Sequence, residues 1–143
     1  MPRLVLAFVA LFFVSCSYAS LTGFQLPEED QAGKRFYVIH QPNDNRRIDH
    51  ILAQALLTRG FDVASDLSES PDYVVTYIDK WAWDMRTYLV DFRLDIRDAE
   101  TNLLVGTGRS FQTSLDAMGH TYGEIAKSAL DAALKGKQRH VNR

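Results

Sequence analysis

The chain has 143 residues, 46% hydrophobic and 24% charged, with a formal net charge of −2. That composition suits one ordinary globular domain and lacks the basic excess that a nucleic-acid surface requires. A single cysteine, Cys16, excludes an internal disulfide. Met1-Pro2-Arg3 opens the chain with one positive side chain, and Leu4 to Val14 follows as eleven apolar residues without a charge. Such a run fits the core of a secretory signal and is too short to span a bilayer. No apolar run after it reaches the ~18–20 residues of a spanning helix.

The stretch Phe13-Val14-Ser15-Cys16 resembles the lipobox of bacterial lipoproteins, in which a small residue precedes an acylated cysteine. Val14 and Ser15 match the pattern; Phe13 stands where an aliphatic residue is usual. The resemblance implies cleavage after residue 15, leaving 128 of the 143 residues with 15 basic and 18 acidic side chains. Cys16 would then carry two or three acyl chains, enough for stable attachment. Ser17 rather than Asp after the cysteine favours sorting to the outer membrane, facing the periplasm, by analogy with such lipoproteins. A second processing site is also readable. Ser17-Tyr18-Ala19 is a small-x-small sequence, and cutting after Ala19 would release a soluble periplasmic protein without Cys16.

Residues 17 to about 34 hold Ser, Thr, Gly, Pro and the acidic Glu28, Glu29 and Asp30 without a sustained period. With Cys16 they read as a flexible tether, 16–34. Arg35 to His40 is a β-branched and aromatic run ended by Gln41-Pro42-Asn43, a strand and a turn. Asn43, Asp44 and Asn45 offer caps for a helix whose Ile48, Ile51, Leu52, Ala55 and Leu56 share a face. Gly60 closes that helix, and Phe61-Asp62-Val63-Ala64 resumes as a strand, completing a β-α-β unit.

Tyr73 to Lys80 reads as the third strand. In Arg86 to Asp98, Tyr88, Val90, Phe92, Leu94 and Ile96 alternate with Leu89, Asp91, Arg93, Asp95 and Arg97, predicting an apolar face and a mostly charged one. A turn at Asp98–Asn102 leads to a strand from Leu103 to Thr113, and a helix runs from about Met118 to Leu134. Its expected buried face includes Tyr122, Ile125, Ala126, Ala129 and Leu130. The order β-α-β-β-β-β-α predicts an α+β two-layer sandwich, a mixed and mostly antiparallel sheet with both helices on one face. The domain occupies 35–136, and 137–143 is a basic tail.

Several of these segments resemble a family of small bacterial lipoproteins known only as a domain of unknown function. The residues concerned are Arg59-Gly60-Phe61, Asp72 to Tyr77, Trp81-Ala82-Trp83-Asp84, Tyr88, Asp98 and Gly108-Arg109-Ser110. The arrangement is also similar to the small α+β domain of periplasmic assembly and secretion lipoproteins and of the TolB amino-terminal domain. The resemblance implies an envelope location and a binding or assembly role, with no catalytic residue to carry over.

The residues themselves point to no enzyme. His40, His50, His120 and His140 stand at no metal-ligand spacing and read as surface or capping residues. No G-x-S-x-G elbow and no cofactor motif is present, and Gly106-Thr107-Gly108 reads as close backbone packing rather than a phosphate cradle. No catalytic residue, metal or cofactor is therefore expected. The expected partners are a membrane, through Cys16, and an envelope protein. Trp81 and Trp83, the only tryptophans, are the candidate contact residues. The competing reading is a hydrolase of envelope polymer without a recognisable motif.

Overall fold

A computed structural model describes residues 19–112 and 119–134, without the side chains of 19–23 and 84. Cys16, the apolar run before it and the basic tail lie outside the described residues. Six strands form one sheet: β1 (Ala19–Phe24), β2 (Arg35–Val38), β3 (Asp62–Val63), β4 (Tyr73–Asp84), β5 (Arg86–Asp98) and β6 (Leu104–Phe111). Their spatial order is β1-β6-β5-β4-β2-β3. β2 lies parallel to β3 and β4, and the other pairings are antiparallel. Helices α1 (Ile48–Thr58) and α2 (Tyr122–Ala133) pack against each other and against the sheet, giving the expected α+β sandwich.

The expected tether is instead part of the domain. Ala19–Phe24 pairs antiparallel with β6, with a register shift between Thr22 and Phe24. Leu26 is fully buried, its N–H donating to the Ala133 carbonyl at 2.9 Å. Gln31 is buried too and donates from Nε2 to the Leu26 carbonyl at 2.7 Å. No period announced this strand, because an edge strand with Ser, Thr and Gly owes its order to its neighbour rather than to its own propensity.

Local signals account for the ends of both helices. The Asp44 carboxylate accepts from the Ile48 N–H at 2.6 Å and from the Arg46 N–H at 3.0 Å, capping α1 from four residues upstream. Gly60 has φ +87, and the N–H groups of Phe61 and Gly60 return to the Leu56 and Leu57 carbonyls, a Schellman closure. α2 opens later than expected, at Tyr122, where Thr121 and Glu124 form a capping box. Tyr122, expected in the core, is 37% exposed because it lies in that first turn.

The core lies between helices and sheet, with Phe36, Tyr77, Phe92, Leu94, Ile96, Leu52, Leu56, Ile125 and Leu130 all shielded from water. Tyr77 and Phe92 stack at 5.8 Å between centroids. α2 presses on β6 where side chains are missing: a Cβ at Gly106 would stand 2.9 Å from the Ala133 carbonyl oxygen. One at Gly108 would fall on the carbonyl of Ala129. The glycine pair is a seat for a helix.

The faces of β5 change partway along. Lys80 pairs with Asp91 but Trp81 pairs with Leu89, so Val90 is an extra residue. From Phe92 onward the even positions are buried as expected; before the bulge Leu89 takes the core position and Tyr88 is only half-buried. Strict alternation had assigned Leu89 to the charged face. One inserted residue inverts every side chain beyond it.

Candidate contact site at the hairpin end

β4 and β5 are longer than their neighbours. β6 pairs with β5 only from Asp91 to Arg97, and β2 pairs with β4 only from Tyr73 to Val75. Beyond Lys80 and Val90 no other strand among the described residues pairs with the two arms, which form a ribbon ending at Met85, fastened at its base by the Gln112 side chain donating to the Leu89 carbonyl at 2.6 Å. Met85 has φ +59, a left-handed turn position that non-glycine residues seldom occupy, and its side chain is 92% exposed.

β4 continues through both tryptophans, so Trp81 and Trp83 occupy alternate positions of one strand and share its core-side face. Their surroundings differ. Trp81 packs against the core, meets Tyr122 edge-on at 5.8 Å, and carries the Arg46 guanidinium 3.8 Å above its ring. Its indole N–H donates to the Asp79 carboxylate. Trp83 pairs with Thr87 past the end of the core and is 76% exposed. Trp81 is thus the closing piece of the core, and Trp83 with Met85 forms an exposed apolar tip.

The open sheet face carries the charges that the alternation predicted. Arg109 grips Asp91 with two hydrogen bonds of 2.8 and 2.7 Å, and Arg93 grips Asp95 at 3.1 and 3.2 Å. Thr107 Oγ1 donates to Asp95 at 2.8 Å, and Lys80 stands 4.0 Å from Asp91. The Arg109 hydrogen bonds hold the Asp91 carboxyl below the usual carboxylate range. Acids so paired are poor proton donors.

A third cluster escaped the sequence, because its members come from the β2–α1 loop and the first turn of α1. His40 Nδ1 and His50 Nε2 stand 3.3 and 3.8 Å from the same oxygen of Asp49, whose carboxylate also takes two hydrogen bonds from Arg47. Potential ligand atoms of His40, Asp44 and Asp49 lie within 4.8 Å of one another, a grouping of the size a metal ion uses. His40 is thus the exposed residue that was expected, set beside Asp49. The donors are already engaged: Asp44 accepts from Tyr77 Oη at 2.6 Å besides its two backbone bonds, and Arg47 places a cation on Asp49. Burial, then the bond to Asp44, pushes the Tyr77 hydroxyl well above its ordinary value. What this cluster does in the structure is fasten the loop after β2 to the start of α1.

No protein-family model matches the chain, and no curated protein does. Among solved structures it is similar to PelC of Paraburkholderia phytofirmans, described as a dodecamer, with a TM-score of 0.53 and 15% identity over 82% of this chain and 94% of that one. A leucine-to-methionine variant of the same protein in a second crystal form gives 0.50 and 14%, over 80% and 90%. At such identities the likeness is one of fold. No helix among the described residues is long and apolar enough to cross a membrane.

Proposed function

We propose that this chain is an envelope lipoprotein, held by acylated Cys16 in the outer membrane and facing the periplasm, with a non-catalytic task as a subunit of an assembly. The observation that carries the anchoring is the position of β1. Cleavage before Cys16 leaves this strand whole, whereas the secretory alternative after Ala19 removes its first residue and puts a charged amino terminus on Ser20, opposite Ser110 in the ladder. This favours the lipoprotein site, which leaves every described pairing of β1 in place.

Support for an assembly role is the fold likeness, over 82% of this chain, to a protein described as a dodecamer. Among the described residues β1 has a strand partner on one side only, an edge suited to pairing with a neighbouring copy. Support for a non-catalytic task is the use already made of the polar groups, since the charged face and the His40–Asp49 corner are engaged in pairs within the domain. Fractionation tests the anchor: Cys16→Ser is expected to move the chain from the membrane pellet to the soluble fraction or leave it unprocessed. A mature amino terminus at Ser20 overturns it. Native mass of the detergent-solubilised protein tests the assembly, and a monomer at micromolar concentration would refute that part.

A further inference from the structure

The sheet has two ends, and the pairings decide which one faces the anchor. Ala19 pairs with Phe111, Phe111 with Asp91, and Asp91 with Lys80, a single row across four strands. Strand directions alternate along this row. The chain that leaves β1 toward Cys16 therefore exits at the same end at which β4 continues into the ribbon and its tip. Cys16 lies three residues before Ala19, a covalent reach of at most about 11 Å. The ribbon runs four residues past Lys80 to Asp84, a projection of about 13 Å. The tip therefore extends as far from the sheet as the acylated residue can.

From this placement we infer that the β4–β5 tip is a second membrane contact, with Trp83 and Met85 seated in the headgroup and upper acyl region of the bilayer that holds Cys16. The inference rests on the lipoprotein reading above. Its chemistry is that of an amphipathic ring and a flexible thioether at a lipid–water boundary, where tryptophan is favoured. Exposure of 76% at Trp83, near the end of β4, and 92% at Met85, in the turn two residues on, leaves both residues available, and their burial would remove apolar surface from water. Trp81 is excluded from this contact by Arg46 and Tyr122, which cover it. The tip works as a brace: lipid at one point permits free rotation, and a second contact fixes which end of the sheet faces the membrane.

The test uses the full mature protein with Trp81→Phe, so that Trp83 is the sole indole, in vesicles of phosphatidylethanolamine and phosphatidylglycerol containing phosphatidylcholine brominated in its upper acyl chain. The acyl chains on Cys16 are verified by intact mass and vesicle flotation. Expected is at least a twofold loss of Trp83 emission in brominated against unbrominated vesicles, with a blue shift and protection from aqueous iodide. Circular dichroism confirms that the variant is folded, and Trp83→Phe in the native background, reporting on Trp81, should show no such loss. An acylated, floating protein whose Trp83 stays open to iodide and unquenched by bromine overturns the brace while leaving the anchor standing. A protein without acyl chains overturns both.

Discussion

At the scale of single residues, the positions with recognisable sequence signals turn out to hold the chain in shape. Gly60 closes α1 at positive φ, Gly108 seats α2, Asp72 accepts from the Arg35 N–H at 2.9 Å, and Asp98 accepts from the Glu100 and Thr101 N–H groups. Gly108→Ala is expected to cost about 3 kcal/mol or more, because its methyl would collide with backbone, which cannot rotate away as a side chain can. Chemical denaturation would measure it, and a wild-type midpoint would show that α2 is free to lift. Phe92→Ala should cost about 3–5 kcal/mol as a large-to-small change in the stack with Tyr77. Arg93→Ala should cost less than about 1 kcal/mol, since its pair with Asp95 is solvent-exposed. Both faces of that part of β5 were legible from alternation. Leu89 was not, because a bulge leaves no mark in hydrophobicity and shows only when the partner strand is known.

Among the elements, the β4–β5 ribbon divides two tryptophans that the sequence could only treat together. Trp81→Ala should lower the melting temperature by many degrees, through lost packing on Tyr122 and the core, whereas Trp83→Ala should leave it within a degree or two. Equal losses would mean that the tip folds back onto the domain. The joints between elements respond to acid in a definite direction. Hydrogen bonds from the Arg35 N–H, the Arg109 side chain and the Thr101 N–H hold the carboxyls of Asp72, Asp91 and Asp98 below their ordinary range. Each folded carboxyl thus binds a proton less readily than in the unfolded chain, whose aspartates titrate near about 3.9. The stabilisation is complete above that value and drains as pH falls through the lower folded values. Thermal melts from pH 7 to 3 should show a steep loss below about pH 4, and Asp72→Asn should flatten it. β1 was invisible at this scale from the sequence: six residues with Ser, Thr and Gly carry no period of their own, and the partner that orders them lies 83 to 92 residues downstream.

For the whole molecule, length matters more than any single contact. The fold class could be read from periodicity, and Cys16 marked the end proposed to carry lipid, but the distance from Cys16 to the sheet could not be read, since a tether and an edge strand look alike in composition. With β1 in place, Cys16 stands three positions before a residue paired in the sheet, and in the proposed arrangement that shortness brings the ribbon tip to the bilayer. Adding slack should separate anchoring from bracing. Ten Gly/Ser residues inserted between Tyr18 and Ala19 give a flexible segment with a root-mean-square span of about 17 Å, longer than the tip's projection. The lipid and β1 are untouched, so the protein should still pellet with membranes and melt as the parent does. Trp83 contact would then depend on its own weak affinity for the interface, diluted by the volume the domain can explore. Bromine quenching of Trp83 should therefore fall toward its value in unbrominated vesicles, while a two-residue insertion retains most of it. Quenching that is unchanged at both lengths would mean that the tip holds the membrane without help from the anchor, and that the short connection has no part in orienting the domain.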